Sequence, residues 1–187
     1  MGAQHIFLDR DGTLIRHVPY LHDPRQVVLL PGVAEGLREL RAGGCSLYLH
    51  TNQAGVGRGY FKLEDALACN AAMIELLGMG AELFDAICVC PEAPDQPIRY
   101  RKPSPRFAHE IMARAGLSAA DLCYVGDNVS DLQTAKNVGC GGVGVNTGVH
   151  ELRTRLAEEG LAQFPVFDDF ASACSWLLAP SRNSHAG

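Results

Sequence analysis

The sequence predicts an α/β protein in which a central parallel sheet lies between two layers of helices. Two observations predict this arrangement. Short apolar runs alternate along the chain with segments of helical periodicity, and no internal repeat or low-complexity linker interrupts the alternation. Strands that alternate with helices are joined by right-handed crossovers, which make the strands parallel and cover both faces of the sheet. The expected architecture is a Rossmann-like three-layer α/β/α sandwich.

The elements are read in chain order. Residues 5–8 (HIFL) are the first apolar run and read as a strand, and residues 32–42 have the spacing of a helix. Residues 45–50 (CSLYLH) form the second strand-like run, followed by helical periodicity over 63–77. Residues 86–90 (AICVC) read as strand, 105–115 as helix, 122–125 as strand and 130–138 as helix. Residues 142–145 and 165–167 are two further short strands, each followed by a helical stretch. Residues 1–179 are expected to form one domain, and the small, polar segment 180–187 is expected to be a disordered tail.

Composition narrows the function. A chain of 187 residues with 47% apolar side chains can bury a sizeable core. The formal charge of −5 lacks the basic excess with which nucleic-acid binders displace counterions, so no nucleic-acid partner is expected. No apolar run reaches membrane-spanning length and no basic leader precedes a long apolar stretch, so the expectation is a cytoplasmic protein without a membrane partner. A monomer is expected. The seven cysteines are scattered and odd in number, which does not suit a secreted disulfide framework. Cys88 and Cys90 flank one residue in a strand-like run and so share a face, but metal binding there needs further ligands; buried thiols are expected.

In a parallel sheet of this kind ligands bind beyond the carboxyl ends of the strands. After the first strand stands Asp9-Arg10-Asp11-Gly12-Thr13, two carboxylates one residue apart, a pattern that hydrophilic turns also show. After the second comes Thr51-Asn52-Gln53, a hydroxyl and amides able to bind an anion near a helix start or simply to cap it. Arg101-Lys102-Pro103 follows the third, and Gly126-Asp127-Asn128 the fourth, with Asp131 one helical turn on. Each segment alone is ordinary. Together they bring carboxylates, a hydroxyl and a cation to four strand ends, which are the parts of phosphoryl transfer with a hard, oxygen-loving ion such as Mg²⁺.

The segments FLDRDGTL, TNQ, RKPSP and VGDNVSD, in this order, resemble the haloacid dehalogenase (HAD) superfamily from Phe7 to Thr147. The resemblance implies a HAD-like fold and a Mg²⁺-dependent phosphatase. It makes Asp9 the nucleophile, Asp11 the acid and then base, and Thr51 and Lys102 the holders of the phosphoryl oxygens. Asp9, the backbone carbonyl of Asp11 and Asp127 would bind the metal, with Asn128 and Asp131 beside them. Superfamily members that cleave carbon–halogen bonds lack the second acid, so Asp11 favours phosphate esters. No long insertion follows the first or third motif, so no separate cap domain is expected.

Within the superfamily, DRDGTL, TNQAGVGRGYF and Arg-Lys-Pro resemble the histidinol-phosphate and heptose-bisphosphate phosphatase group, and VPYLHDPRQVVLLPGV is closer to the heptose-bisphosphate members. The implied substrate is a small-molecule phosphate ester: a heptose 1,7-bisphosphate losing one phosphate, with histidinol phosphate or another sugar phosphate as alternative. Arg101 would grip the remaining phosphate through its bidentate fork, and His17, Tyr20, Asn52 and Gln53 would line the substrate end. The group carries a zinc loop, Cys-x-His followed by Cys-x-Cys, where this chain has Cys90-Pro91-Glu92 and Ile98-Arg99-Tyr100. One ligand of four remains, so no zinc is expected from this loop. Three prolines, Pro91, Pro94 and Pro97, restrict its backbone instead.

Two rivals differ in class. A non-catalytic phosphate-binding module would keep the fold without turnover, but every catalytic position holds a competent residue. A dinucleotide-binding enzyme is suggested by the glycines at 139, 141, 142 and 144, but that fingerprint belongs after the first strand. The lone His50, just before Thr51, is expected to be a core residue or a supporting neighbour of the site rather than a metal ligand.

Overall fold

The structure is a computed structural model and describes residues 4–179. The tail expected over 180–187 lies outside the described residues. Six parallel strands form one sheet in the order β3-β2-β1-β4-β5-β6. They are β1 (His5–Leu8), β2 (Ser46–Asn52), β3 (Ala86–Cys90), β4 (Leu122–Gly126), β5 (Gly141–Val145) and β6 (Val166–Phe167). The helices are α1 (Val33–Ala42), the short α2 (Ala54–Gly57), α3 (Leu63–Leu77), α4 (Arg106–Ala115), α5 (Val129–Val138), α6 (Leu152–Glu158) and α7 (Phe170–Leu178).

Period-2 alternation along β1 divides the core between two faces. Ile6 and Leu8 point into the larger cluster, with Leu37 and Leu40 of α1, Met73 of α3 and Phe170 of α7. Phe7 points the other way, to Phe107 and Ile111 of α4 and Ala135 of α5. The register sets Tyr48 and Tyr124 opposite Phe7 on the two neighbouring strands. The three rings stack, with centroids 4.7 and 4.8 Å apart. Pairs of this kind add about 0.5–1.5 kcal/mol beyond the area they bury.

The strand order reverses at β1, which has β2 on one side and β4 on the other. That reversal opens the crevice at the carboxyl end of β1 in which open α/β sheets bind ligands. The chain enters it at Asp9, whose N–H still bonds to Val125 O of β4 at 3.0 Å. It then turns sharply: Leu14 N and Ile15 N both donate to Arg10 O, and Gly12 sits at φ 83. A Cβ at Gly12 would lie 2.3 Å from Asp127 Oδ2, so glycine is required there twice over, for its dihedral and for the close approach.

Candidate active site

Four strand ends converge on a cleft of about 270 Å³ lined by Asp9, Asp11, His17, Asn52, Arg101, Lys102, Asp127, Asn128, Ser130 and Asp131. A second cleft of about 170 Å³ shares Asp11, His17 and Asn52 and extends to Tyr20, Gln53 and Phe61. The first is charged. The second adds the apolar side chains of Val18, Leu21 and Phe61.

Lys102 is buried between two carboxylates, with its Nζ 2.6 Å from Asp9 Oδ1 and 2.6 Å from Asp131 Oδ1. Burial opposes its charge, but Asp131 and Asp9 overcome that and hold the ammonium above its usual range. The backbone of Lys102 is fixed as well. Asn52 accepts from Lys102 N through Oδ1 at 2.9 Å and donates to Lys102 O through Nδ2 at 3.2 Å. Asn52 thus lines the cleft with its amide committed to the lysine's main chain.

Carboxylate oxygens of Asp9, Asp127 and Asp131 lie within 4.8 Å of one another. Burial raises the Asp127 carboxyl well above the ordinary range, the charges of Asp9 and Asp131 add to this, and Lys102 opposes it. Asp131 is raised by the same first cause, burial, against the pull of Lys102. Three carboxylates thus share one buried ammonium, and the all-oxygen donor set suits a small, hard divalent cation. The backbone at Gly148 packs closely against one of these carboxylates: a Cβ there would lie 1.9 Å from Asp127 Oδ2.

Asp131 also belongs to a helix cap. Its Oδ2 accepts Asn128 N at 3.0 Å, and Asn128 Oδ1 accepts Ser130 N at 3.2 Å, a reciprocal cap at the start of α5. Asn128 therefore lines the cleft with its side-chain oxygen engaged in the cap, and the third carboxylate of the cluster is Asp131.

Asp11 sits at the junction of the two clefts. Arg10 Nε and Nη2 donate to its oxygens at 3.0 and 3.1 Å, and Gln53 Nε2 donates to Oδ2 at 3.0 Å. Burial raises its pKa, Arg10 lowers it, and Asp9 raises it again, for a net upward shift. Arg10 is itself wholly buried, held by Asn70 Oδ1 at 2.8 Å and Ala66 O on α3. Sequence reasoning missed Arg10 and Asn70, because Asn70 stands in a helix far along the chain with no motif around it. Thr51 is fully buried and accepts from Gln53 Nε2 at 2.8 Å.

The remaining expected residues frame the opening. His17 is exposed on the rim of both clefts. Tyr20 takes a left-handed φ of 53, with its ring edge-on to Tyr60 and its hydroxyl bonded to Arg58. Arg101 donates to Glu92 O at 3.2 Å, which ties it to the loop after β3. That loop is closed by hydrogen bonds: Tyr100 N donates to Glu92 Oε1 at 3.0 Å, Ala93 N to Gln96 Oε1 at 2.9 Å, and Gln96 Nε2 to Gly57 O at 3.1 Å. Glu92 and Tyr100 stand at positions where the resemblance to the zinc-loop group implies a histidine and a cysteine. His50 is buried in the core: Nε2 must donate to Tyr100 O, 2.9 Å away, so Nδ1 accepts from Tyr124 Oη at 3.2 Å. No helix among the described residues is long and apolar enough to cross a membrane.

Known proteins are similar to this chain in sequence and fold. The family described as HAD-hydrolase-like matches residues 99–173. D-glycero-β-D-manno-heptose-1,7-bisphosphate 7-phosphatase of Pseudomonas aeruginosa is 32% identical over 95% of this chain and 99% of its own. D-glycero-α-D-manno-heptose-1,7-bisphosphate 7-phosphatase of Mycobacterium tuberculosis is 37% identical over 71% of this chain and 72% of its own. The crystal structure of the D,D-heptose 1,7-bisphosphate phosphatase of B. bronchiseptica, complexed with magnesium and phosphate, superposes with a TM-score of 0.84 at 33% identity, covering 94% of this chain and 98% of that one. The chain belongs to the HAD-like hydrolases and, within them, to the family of the heptose-1,7-bisphosphate 7-phosphatases.

Proposed function

We propose that this protein removes the 7-phosphate of D-glycero-D-manno-heptose 1,7-bisphosphate, leaving heptose 1-phosphate, by way of a phosphoryl group carried on Asp9. The observation that carries the reading is the contact of Lys102 with Asp9 at 2.6 Å inside a cluster of three carboxylates at the strand ends.

In the first half-reaction an Asp9 carboxylate oxygen attacks phosphorus, and the bond from phosphorus to the sugar oxygen breaks. Asp11 gives its proton to that leaving oxygen; burial raises its pKa, a shift in the direction that favours the acid form this step needs. In the second, Asp11 takes a proton from a water, whose oxygen attacks phosphorus and releases phosphate from Asp9. Lys102 neutralises charge on the phosphoryl oxygens while Asp131 and the Asn52 clamp keep it in place. Thr51 orients Gln53, which orients Asp11. Asp9, Asp127 and the backbone carbonyl of Asp11 would hold Mg²⁺, which offsets the negative charge that otherwise repels a carboxylate from a phosphate. Arg101 and His17 stand at the cleft wall where a second phosphate and the sugar hydroxyls would lie.

The test is a phosphate-release screen with both heptose bisphosphate anomers and histidinol phosphate. A preference for a heptose bisphosphate, abolished in Asp9→Asn, is expected. Preference for histidinol phosphate would overturn the substrate, and phosphate binding without turnover of any ester would overturn the enzyme.

A further inference from the structure

Cys88 and Cys90 share a face of β3, and the structure supplies the additional ligand that their spacing alone lacked. His50 of β2 is paired in register with Cys88. One imidazole nitrogen and the two sulfurs all lie within 4.8 Å of one another. We propose that His50, Cys88 and Cys90 form a soft-metal site of the chemistry that takes Zn²⁺, built on the sheet itself and separate from the carboxylate cluster.

The geometry suits such an ion. The two sulfurs are 3.7 Å apart, and the edge of a tetrahedron with zinc–sulfur bonds of about 2.3 Å is about 3.8 Å. Two touching thiols have much the same spacing, so the imidazole beside them is what makes the set a ligand set. Thiolate and imidazole are soft or borderline donors, whereas the carboxylates around Lys102 are hard, so the two sites sort ions by chemistry. Glu92, in the loop that follows β3, is tied to this set through Tyr100. One of its carboxylate oxygens bonds Tyr100 N while the other is buried with no hydrogen-bond partner, and Tyr100 O is in turn bonded to His50. Cys88 is half-buried and Cys90 buried.

Binding converts both S–H groups to thiolates, forms two metal–sulfur bonds and one metal–nitrogen bond, and sends two protons to solvent. His50 exchanges one of its two present hydrogen bonds for the metal. Affinity for the ion therefore rises with pH.

The test uses the full chain, stripped with a chelator, kept reduced by a phosphine and held in excess Mg²⁺ so that the carboxylate site is not available. Titration with Zn²⁺ against a chromogenic chelator should show one ion per chain. Titration with Cd²⁺ should raise a thiolate-to-metal absorption band that is absent from Cys88→Ser and from Cys90→Ser, weakened in His50→Gln and unchanged in Asp127→Asn. Alkylation of the native protein, mapped by peptide, should be blocked by Zn²⁺ at Cys88 and Cys90. That last readout needs no variant, so a misfolded Cys90→Ser leaves the proposal testable. Absence of stoichiometric binding, a band that survives both serine variants, or protection of other cysteines instead would overturn it.

Discussion

Lys102 Nζ stands 2.6 Å from Asp9 Oδ1 although the two residues are 93 positions apart. The strand order brings them together, since β1 carries Asp9 to the centre of the sheet and the Asn52 clamp on β2 fixes the lysine's backbone across from it. Replacing Lys102 by Met leaves three carboxylates without their cation. The loss expected in kcat is on the order of 10²–10³-fold or more, as for removal of one preorganised donor to a developing charge. Steady-state phosphate release measures it, and a kcat within a few-fold of wild type would remove Lys102 from the mechanism.

Asp11 has the only side chain in the proposed mechanism required in both protonation states. Its pKa is raised, by burial first, so the alkaline side of the kcat profile should report loss of the acid form that protonates the leaving oxygen. Asp11→Asn should slow both half-reactions and flatten that side of the profile. It should leave Mg²⁺ affinity nearly unchanged, because the metal contact is assigned to the residue's backbone. A large loss of Mg²⁺ affinity would count against that assignment.

Gly148 permits a more selective perturbation. Gly148→Ala pushes a methyl into Asp127 Oδ2, at 1.9 Å on the unrelaxed backbone, without deleting any ligand. The Mg²⁺ concentration for half-maximal activity should rise at least about tenfold, equivalent to about 1.4 kcal/mol. An unchanged Mg²⁺ dependence would show that Asp127 is not held where metal binding needs it.

His50 gives the fold a dependence on acid. Its pKa is lowered to about 3, by burial first and then by Lys102, from an ordinary value of 6.5. Between those values the unfolded chain binds a proton that the folded chain does not. Stability therefore falls as pH drops from 6.5 toward 3, with a slope approaching about 1.4 kcal/mol per pH unit from this group. Urea unfolding of wild type and His50→Gln at pH 7 and pH 5 isolates the contribution. Equal pH dependence in both would contradict the buried neutral imidazole.

Much of this was legible in the sequence, and the parts that were not share a cause. The helix 63–77 and the strand 86–90 have the bounds their periodicity implies, because local pattern and tertiary burial agree there. The second strand runs two residues beyond the apolar run 45–50, because the sheet ladder continues through Thr51 and Asn52 in spite of their polarity. The short helix 54–57 was missed because one turn carries no periodicity. At the site, the acids and the lysine could be placed by strand ends. The hold of Asn70 on Arg10 and the lock of Asn52 on the Lys102 backbone could not. Each joins residues 50 or more apart, and nothing in local spacing encodes such a bond.

The most direct measurement is the site of phosphoryl attachment. A substrate labelled in its 7-phosphate, mixed with the Asp11→Asn variant and quenched in acid, should leave label bound to the protein on the peptide that contains Asp9. The Asp9→Asn variant should leave none. Turnover by wild type with no trapped label, or label recovered on any other residue, would contradict the account.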